Sequence, residues 1–131
     1  MEQVENATQQ ESSSLEDSIY NFIKNMNIAH PDIAFAMAKL ESANFTSKIF
    51  REQNNLFGMR ESFKRPYIRD SVVNGYSSYA NWKESIIDYA LWQTYSAKNM
   101  ERNAFLQLLQ QTYAEDSTYI QTINKLIKNN N

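Results

Sequence analysis

The stretch from Ile33 to Arg60, IAFAMAKLESANFTSKIFREQNNLFGMR, constrains this chain more than any other. Just ahead of it, Pro31 suits a first helical position, and Asp32 behind it puts a carboxylate at the positive end of the helix dipole. Ile33, Ala34, Ala36, Met37, Ala38 and Leu40 then cover nearly every side of the helix. A helix that is apolar all round is enclosed by others, so the rest of the chain must wrap it. This helix delivers one carboxylate, Glu41, at its end. A polar segment, Ser42 to Lys48, an amphipathic turn, Ile49 to Gln53, and the compact run Asn54-Asn55-Leu56-Phe57-Gly58 follow.

A carboxyl held against such an apolar body, beside a glycine-containing loop, sits in a partly dry wall. Removing a carboxylate from water disfavours its ionised form, so Glu41 is expected to stay protonated near neutral pH while exposed carboxylates ionise. Such a group can protonate the leaving oxygen of a glycosidic bond. The alternative is that Glu41 merely ends a helix and pairs with a nearby Lys.

Around this centre the spacing predicts a mainly α architecture of about five helices. Residues 1–13, rich in Gln, Glu and Ser, suit a flexible N-terminal lead or frayed helix, and residues 14–129 a single domain. Ser14 is a plausible N-cap for a first helix near 15–26, with Leu15, Ile19, Phe22, Ile23 and Met26 on its buried face. Later helices are expected from Trp82 to Tyr95, capped by Asn81, from Glu101 to Tyr113, and from Asp116 to Lys128. The intervening segment, Gly58 to Tyr79, is the least regular. Val72 and Val73 suit a short strand, and Asn74-Gly75 favours a type I′ hairpin. Tyr67, Tyr76 and Tyr79 in this segment are candidates for a sugar-stacking platform or for simple packing.

Composition narrows the function. The chain has 131 residues, a net charge of −2, no cysteine and one histidine. No basic field is present to hold nucleic acid, and no disulfide or thiolate chemistry is open to it. A lone His30 beside Pro31 suits a helix start or surface site rather than a general base, and argues against a zinc site. No metal and no cofactor is expected. No run is long enough to span a bilayer, and no export signal is read in the chain as given. Aromatic residues make up 13%, which suits a carbohydrate groove as well as a small core.

Leu40-Glu41-Ser42, Ser47 and Asn54-Asn55-Leu56-Phe57-Gly58-Met59 together resemble the signature of the glucosaminidase family, peptidoglycan hydrolases with a lysozyme-like fold. Tyr79–Gln93 (YANWKESIIDYALWQ) and Tyr113–Tyr119 (YAEDSTY) resemble two further segments of that family, the second its Tyr-Ala-x-Asp-x-x-Tyr element. The resemblance spans Pro31 to Lys128. One departure is Ala43, where the family has Gly. If that position is a left-handed helix end, Ala43 carries strain or the helix ends differently.

The resemblance implies a small irregular or β lobe forming one wall of a substrate groove, and cleavage of a β-1,4 bond in the bacterial cell-wall glycan strand. It implies Glu41 as the general acid of an endo-β-N-acetylglucosaminidase or lytic transglycosylase, acting in the periplasm, outside the cell or delivered by phage. It also carries a catalytic role onto Tyr113, whereas Asp116 capping the last helix and Tyr113 and Tyr119 packing the core is the alternative from the residues alone. For a second carboxylate the lobe offers Glu61 and Asp70, and Asp70, between Arg69 and Ser71, is preferred. Substrate contacts are expected at Asn55, Phe57, Tyr67, Tyr79 and Tyr119, with Asn54 and Asn55 fixing the loop under Glu41. A different class of function stays open: a catalytically silent lysozyme-like protein that binds glycan or builds a phage particle.

Overall fold

The computed structural model describes the backbone of residues 2–113 and 118–129, with side chains from Ser14 onward. Among these, the fold is mainly α: α1 (Glu2–Asn25), α2 (Pro31–Glu41), α3 (Lys48–Gln53), α4 (Trp82–Ala97), α5 (Arg102–Tyr113) and α6 (Tyr119–Asn129), with strands β1 (Ser71–Val73) and β2 (Tyr76–Ser78). The helix beyond the five expected is α3, read from sequence only as an amphipathic turn. Its start is closed by Ser47, whose hydroxyl accepts from the Phe50 N–H at 3.2 Å.

α2 is the enclosed centre. Ile33, Ala34, Phe35, Ala36, Met37 and Ala38 are all buried, and α1 and α6 pack against the helix. From α4, the buried Tyr89 brings its hydroxyl to the Met37 sulfur at 3.4 Å. Ile19 and Ile23 of α1, Phe105 and Leu109 of α5 and Ile123 of α6 complete the same core. Each such side chain contributes about 1.5–3 kcal/mol on leaving water. The small alanines of α2 let neighbouring helices approach closely, so one short helix is covered on every side.

Two cap assignments separate. Asn81 caps α4 as expected, its side chain accepting from the Glu84 N–H at 3.1 Å. Ser14 does not cap α1, which runs unbroken from Glu2. No Gly or Pro interrupts residues 2–13, and their Glu, Gln and Ala are good helix formers. Asp116, expected at the start of the last helix, lies outside the described residues.

The segment between α3 and α4 forms the lobe. Its hairpin pairs Val73 with Tyr76 and turns through Asn74 (φ 54°) and Gly75 (φ 82°), both left-handed as a type I′ turn requires. Two sets of buried polar contacts fasten the lobe down. Asn55 donates through Nδ2 to the carbonyls of Met59 (3.0 Å) and Ser77 (2.9 Å) and accepts from the Met59 N–H at 3.0 Å. Asp88, facing inward from α4, receives a two-pronged pair from Arg65 at 2.8 and 3.0 Å, the Tyr79 hydroxyl at 2.5 Å and the Ile68 N–H at 3.2 Å. With that many donors the buried carboxylate is well satisfied.

Candidate active site

α2 ends in a Schellman motif that aims Glu41. The Asn44 N–H bonds the Lys39 carbonyl at 2.7 Å and the Ala43 N–H bonds the Leu40 carbonyl at 3.3 Å. Ala43 is left-handed at φ 50°, so the chain keeps the helix end a glycine would make and carries the Cβ penalty there. Asn44 (φ 56°) and Phe45 (φ 68°) continue the left-handed turn. Buried Ser42 holds it, its hydroxyl accepting from the Phe45 N–H at 2.9 Å and its carbonyl from the N–H groups of Thr46 and Ser47 at 2.9 Å.

Opposite Glu41 lies Gly58. It is left-handed at φ 66°, and a Cβ built on it would stand 3.3 Å from the Glu41 Oε2. Glycine is therefore needed twice, for the turn and for the approach of the carboxyl. Among the described residues no ion pair joins Glu41 to a Lys, and Lys39, two residues before it, engages Glu16 at 2.5 Å. Burial pushes the Glu41 carboxyl up to about 7. The Tyr119 hydroxyl, buried and without a fully formed hydrogen bond, approaches the same carboxyl and opposes that rise by favouring its charged form. Burial and the Glu41 carboxylate together hold the Tyr113 phenol well above its ordinary value, so it stays a neutral donor.

In front of Glu41 opens a cleft of about 620 Å³, within the usual range for a small-ligand site. Gly58 and Met59 flank the acid. The lobe contributes Arg60, Glu61, Lys64 and Tyr76, and the helices contribute Trp92, Tyr95 and Tyr113. Trp92 meets Tyr113 edge to face at 5.9 Å, and Tyr113 stacks on Tyr119 at 6.1 Å, giving an aromatic back wall that ends beside the acid.

The expected site residues divide. Glu41 and Tyr113 line the cleft, and Tyr119 stands behind them. Asn55 is fully buried, its amide bonded to Met59 and Ser77; Phe57 is likewise buried, stacked on Tyr89 at 4.2 Å. Tyr79 is in the interior, its hydroxyl committed to Asp88. Tyr67 is exposed on the lobe outside the cleft lining, and Tyr76 is the lobe tyrosine that reaches the cleft. Asp70 is exposed at the base of the hairpin, its N–H bound to the Ser78 carbonyl at 2.7 Å, and does not line the cleft; Glu61 does. Among the described residues, Glu41 and Glu61 are the carboxylates of this cleft. Sequence reasoning did not single out Trp92 or Tyr95. The signal available was Trp92's place in the Tyr79–Gln93 segment, one helical turn from Tyr95.

The sequence model of the glucosaminidase family, described as mannosyl-glycoprotein endo-beta-N-acetylglucosaminidase, matches residues 13–131. In three dimensions the chain is similar to the catalytic domain of the autolysin Auto from Listeria monocytogenes, with a TM-score of 0.60 and 24% identity, over 92% of this chain and 82% of that one. No curated protein matches the chain significantly.

Proposed function

Because the chain belongs to the glucosaminidase family of glycoside hydrolases, we propose that it cleaves a β-1,4 glycosidic bond of the bacterial cell-wall glycan, with Glu41 as general acid. The observation that carries this reading is a carboxyl held up to about 7 by burial, at the mouth of an aromatic-backed cleft. The likeness to the catalytic domain of an autolysin supports the cell wall as the setting.

The chemistry runs as one proton out and one back. Protonated Glu41 gives its proton to the glycosidic oxygen as the bond from that oxygen to the anomeric carbon breaks, and the departing sugar leaves as an alcohol. The acetamido oxygen of the N-acetylated sugar bonds to the anomeric carbon in its place, forming a cyclic intermediate without a protein nucleophile. Water then opens the ring and returns a proton to the Glu41 carboxylate. Tyr113, kept neutral, donates toward the acetamido group or the departing oxygen, and the Tyr119 hydroxyl steadies Glu41 while it is ionised. Glu61, on the facing lobe, orients the water.

Digestion of purified sacculi followed by mass spectrometry tests this. The wild-type protein is expected to release muropeptides ending in a reducing N-acetylglucosamine, and Glu41→Gln, which keeps shape but cannot donate that proton, none. Lysis by the folded Glu41→Gln protein would refute the assignment. Products ending in an anhydro ring would replace water by a substrate hydroxyl as the final acceptor.

A further inference from the structure

Outside the cleft, the lobe carries an arrangement that the bond-cleaving chemistry does not use. Arg69 lies with its guanidinium 3.8 Å from the ring centre of Tyr67 and 4.9 Å from that of Phe63, while the two rings meet edge to face at 6.2 Å. A hydrogen bond from Arg69 to the Ser62 carbonyl at 3.0 Å holds the cation in this corner. Phe63 is nevertheless 71% exposed and Tyr67 40% exposed. Were the cluster only packing for the lobe, its largest apolar ring would be covered. Instead Tyr67 and Arg69 flank the ring on one side and most of its surface is left to solvent, in the least regular part of the chain. A ring braced by neighbours on one side has less conformational freedom to lose when a ligand stacks on its open face.

The cluster is continuous with the cleft, because Ser62 and Lys64, the two neighbours of Phe63 in sequence, both line it. Phe63 itself stands next to that lining, on the lobe side. We propose that Phe63, Tyr67 and Arg69 form an outer sugar subsite, which holds the glycan strand where it leaves the cleft. The apolar C–H face of a pyranose stacks on the exposed Phe63 ring. Arg69 and Lys64 supply positive charge for the carboxylates carried by the strand's lactyl and peptide substituents. This rests on the glycan reading of the cleft and extends it to a polymer longer than the cleft holds.

Glu41→Gln supplies a background that binds without cutting, and insoluble purified sacculi are the probe, with bound protein measured by co-sedimentation. Adding Phe63→Ala and Arg69→Ala to that background is expected to weaken binding about tenfold. Phe63→Trp in place of Phe63→Ala is expected to restore it. Phe63 stands on the surface and Arg69 is half-buried in the lobe, so the melting temperature serves as the check that the fold is intact. Equal binding by the Glu41→Gln protein and its lobe variant overturns the outer subsite and leaves the function standing. Failure of both to bind overturns the two together. A change of oligomeric state on gel filtration with unchanged sedimentation would assign the patch to a second copy of the chain, and overturns the proposal as well.

Discussion

Gly58 and Glu41 depend on one another at the scale of single residues. Gly58→Ala must accommodate both a left-handed backbone and a methyl 3.3 Å from the carboxyl oxygen. A cost of about 1–2 kcal/mol in stability is expected from the backbone alone. Activity is expected to fall by more than tenfold, because the acid is displaced as well, and thermal unfolding with a sacculus-lysis assay reads the two effects separately. Ala43 runs the opposite way. Its exposed, left-handed position makes Ala43→Gly a stabilising change of up to about 1 kcal/mol, visible as a higher melting temperature with activity retained. Glu41 was legible from sequence because an all-apolar helix led to it. The two candidates for a second carboxylate were not separable that way, since an irregular lobe gives no periodicity from which to tell an inward side chain from an outward one. The hairpin carries Asp70 to its solvent side and leaves Glu61 on the cleft. Glu61→Gln is accordingly expected to lower kcat more than Asp70→Asn does, by about tenfold if it only orients water.

Among elements, the joint between α4 and the lobe decides whether the cleft keeps its shape. Asp88 is buried with Arg65, and removing one partner leaves the other charge uncompensated in the interior. Asp88→Asn is expected to cost about 3–5 kcal/mol. It should also loosen the lobe, raising protease sensitivity between Arg60 and Arg69 well below the temperature of global unfolding. The helices themselves were readable, because spacing of apolar residues is a local property. Asn81 and the Asn74-Gly75 turn were readable for the same reason, each being a short-range use of side chain or backbone freedom. Asp88 was not, because its partner lies 23 residues away in a segment with no regular structure. Tyr79 and Phe57 carried the expected aromatic character but were drawn into the interior, Tyr79 by the same buried carboxylate and Phe57 by stacking on Tyr89. The cleft wall fell instead to Trp92, Tyr95 and Tyr76, whose facing is set by how α4 and the hairpin pack.

For the molecule as a whole, one partly dry carboxyl links catalysis to stability through pH. The folded protein holds the Glu41 proton up to about 7, above the ordinary value of 4.5, so this group's stabilising contribution is full below about 4.5 and is lost as pH rises through 7. Glu41→Gln has no such penalty. Relative to wild type it is expected to gain roughly 2 kcal/mol between pH 5 and pH 8, a value reduced for solvent at the open mouth of the cleft. Denaturant unfolding at the two pH values checks the sign. Over the same range kcat/KM is expected to fall with an apparent midpoint near 7 as the acid loses its proton. The measurement that bears most directly on the account is the titration of the Glu41 carboxyl carbon by NMR in the free protein. A midpoint near 7 is the predicted result, and a midpoint at the ordinary 4.5 would contradict the claim that the enclosed helix keeps its terminal acid protonated for bond cleavage.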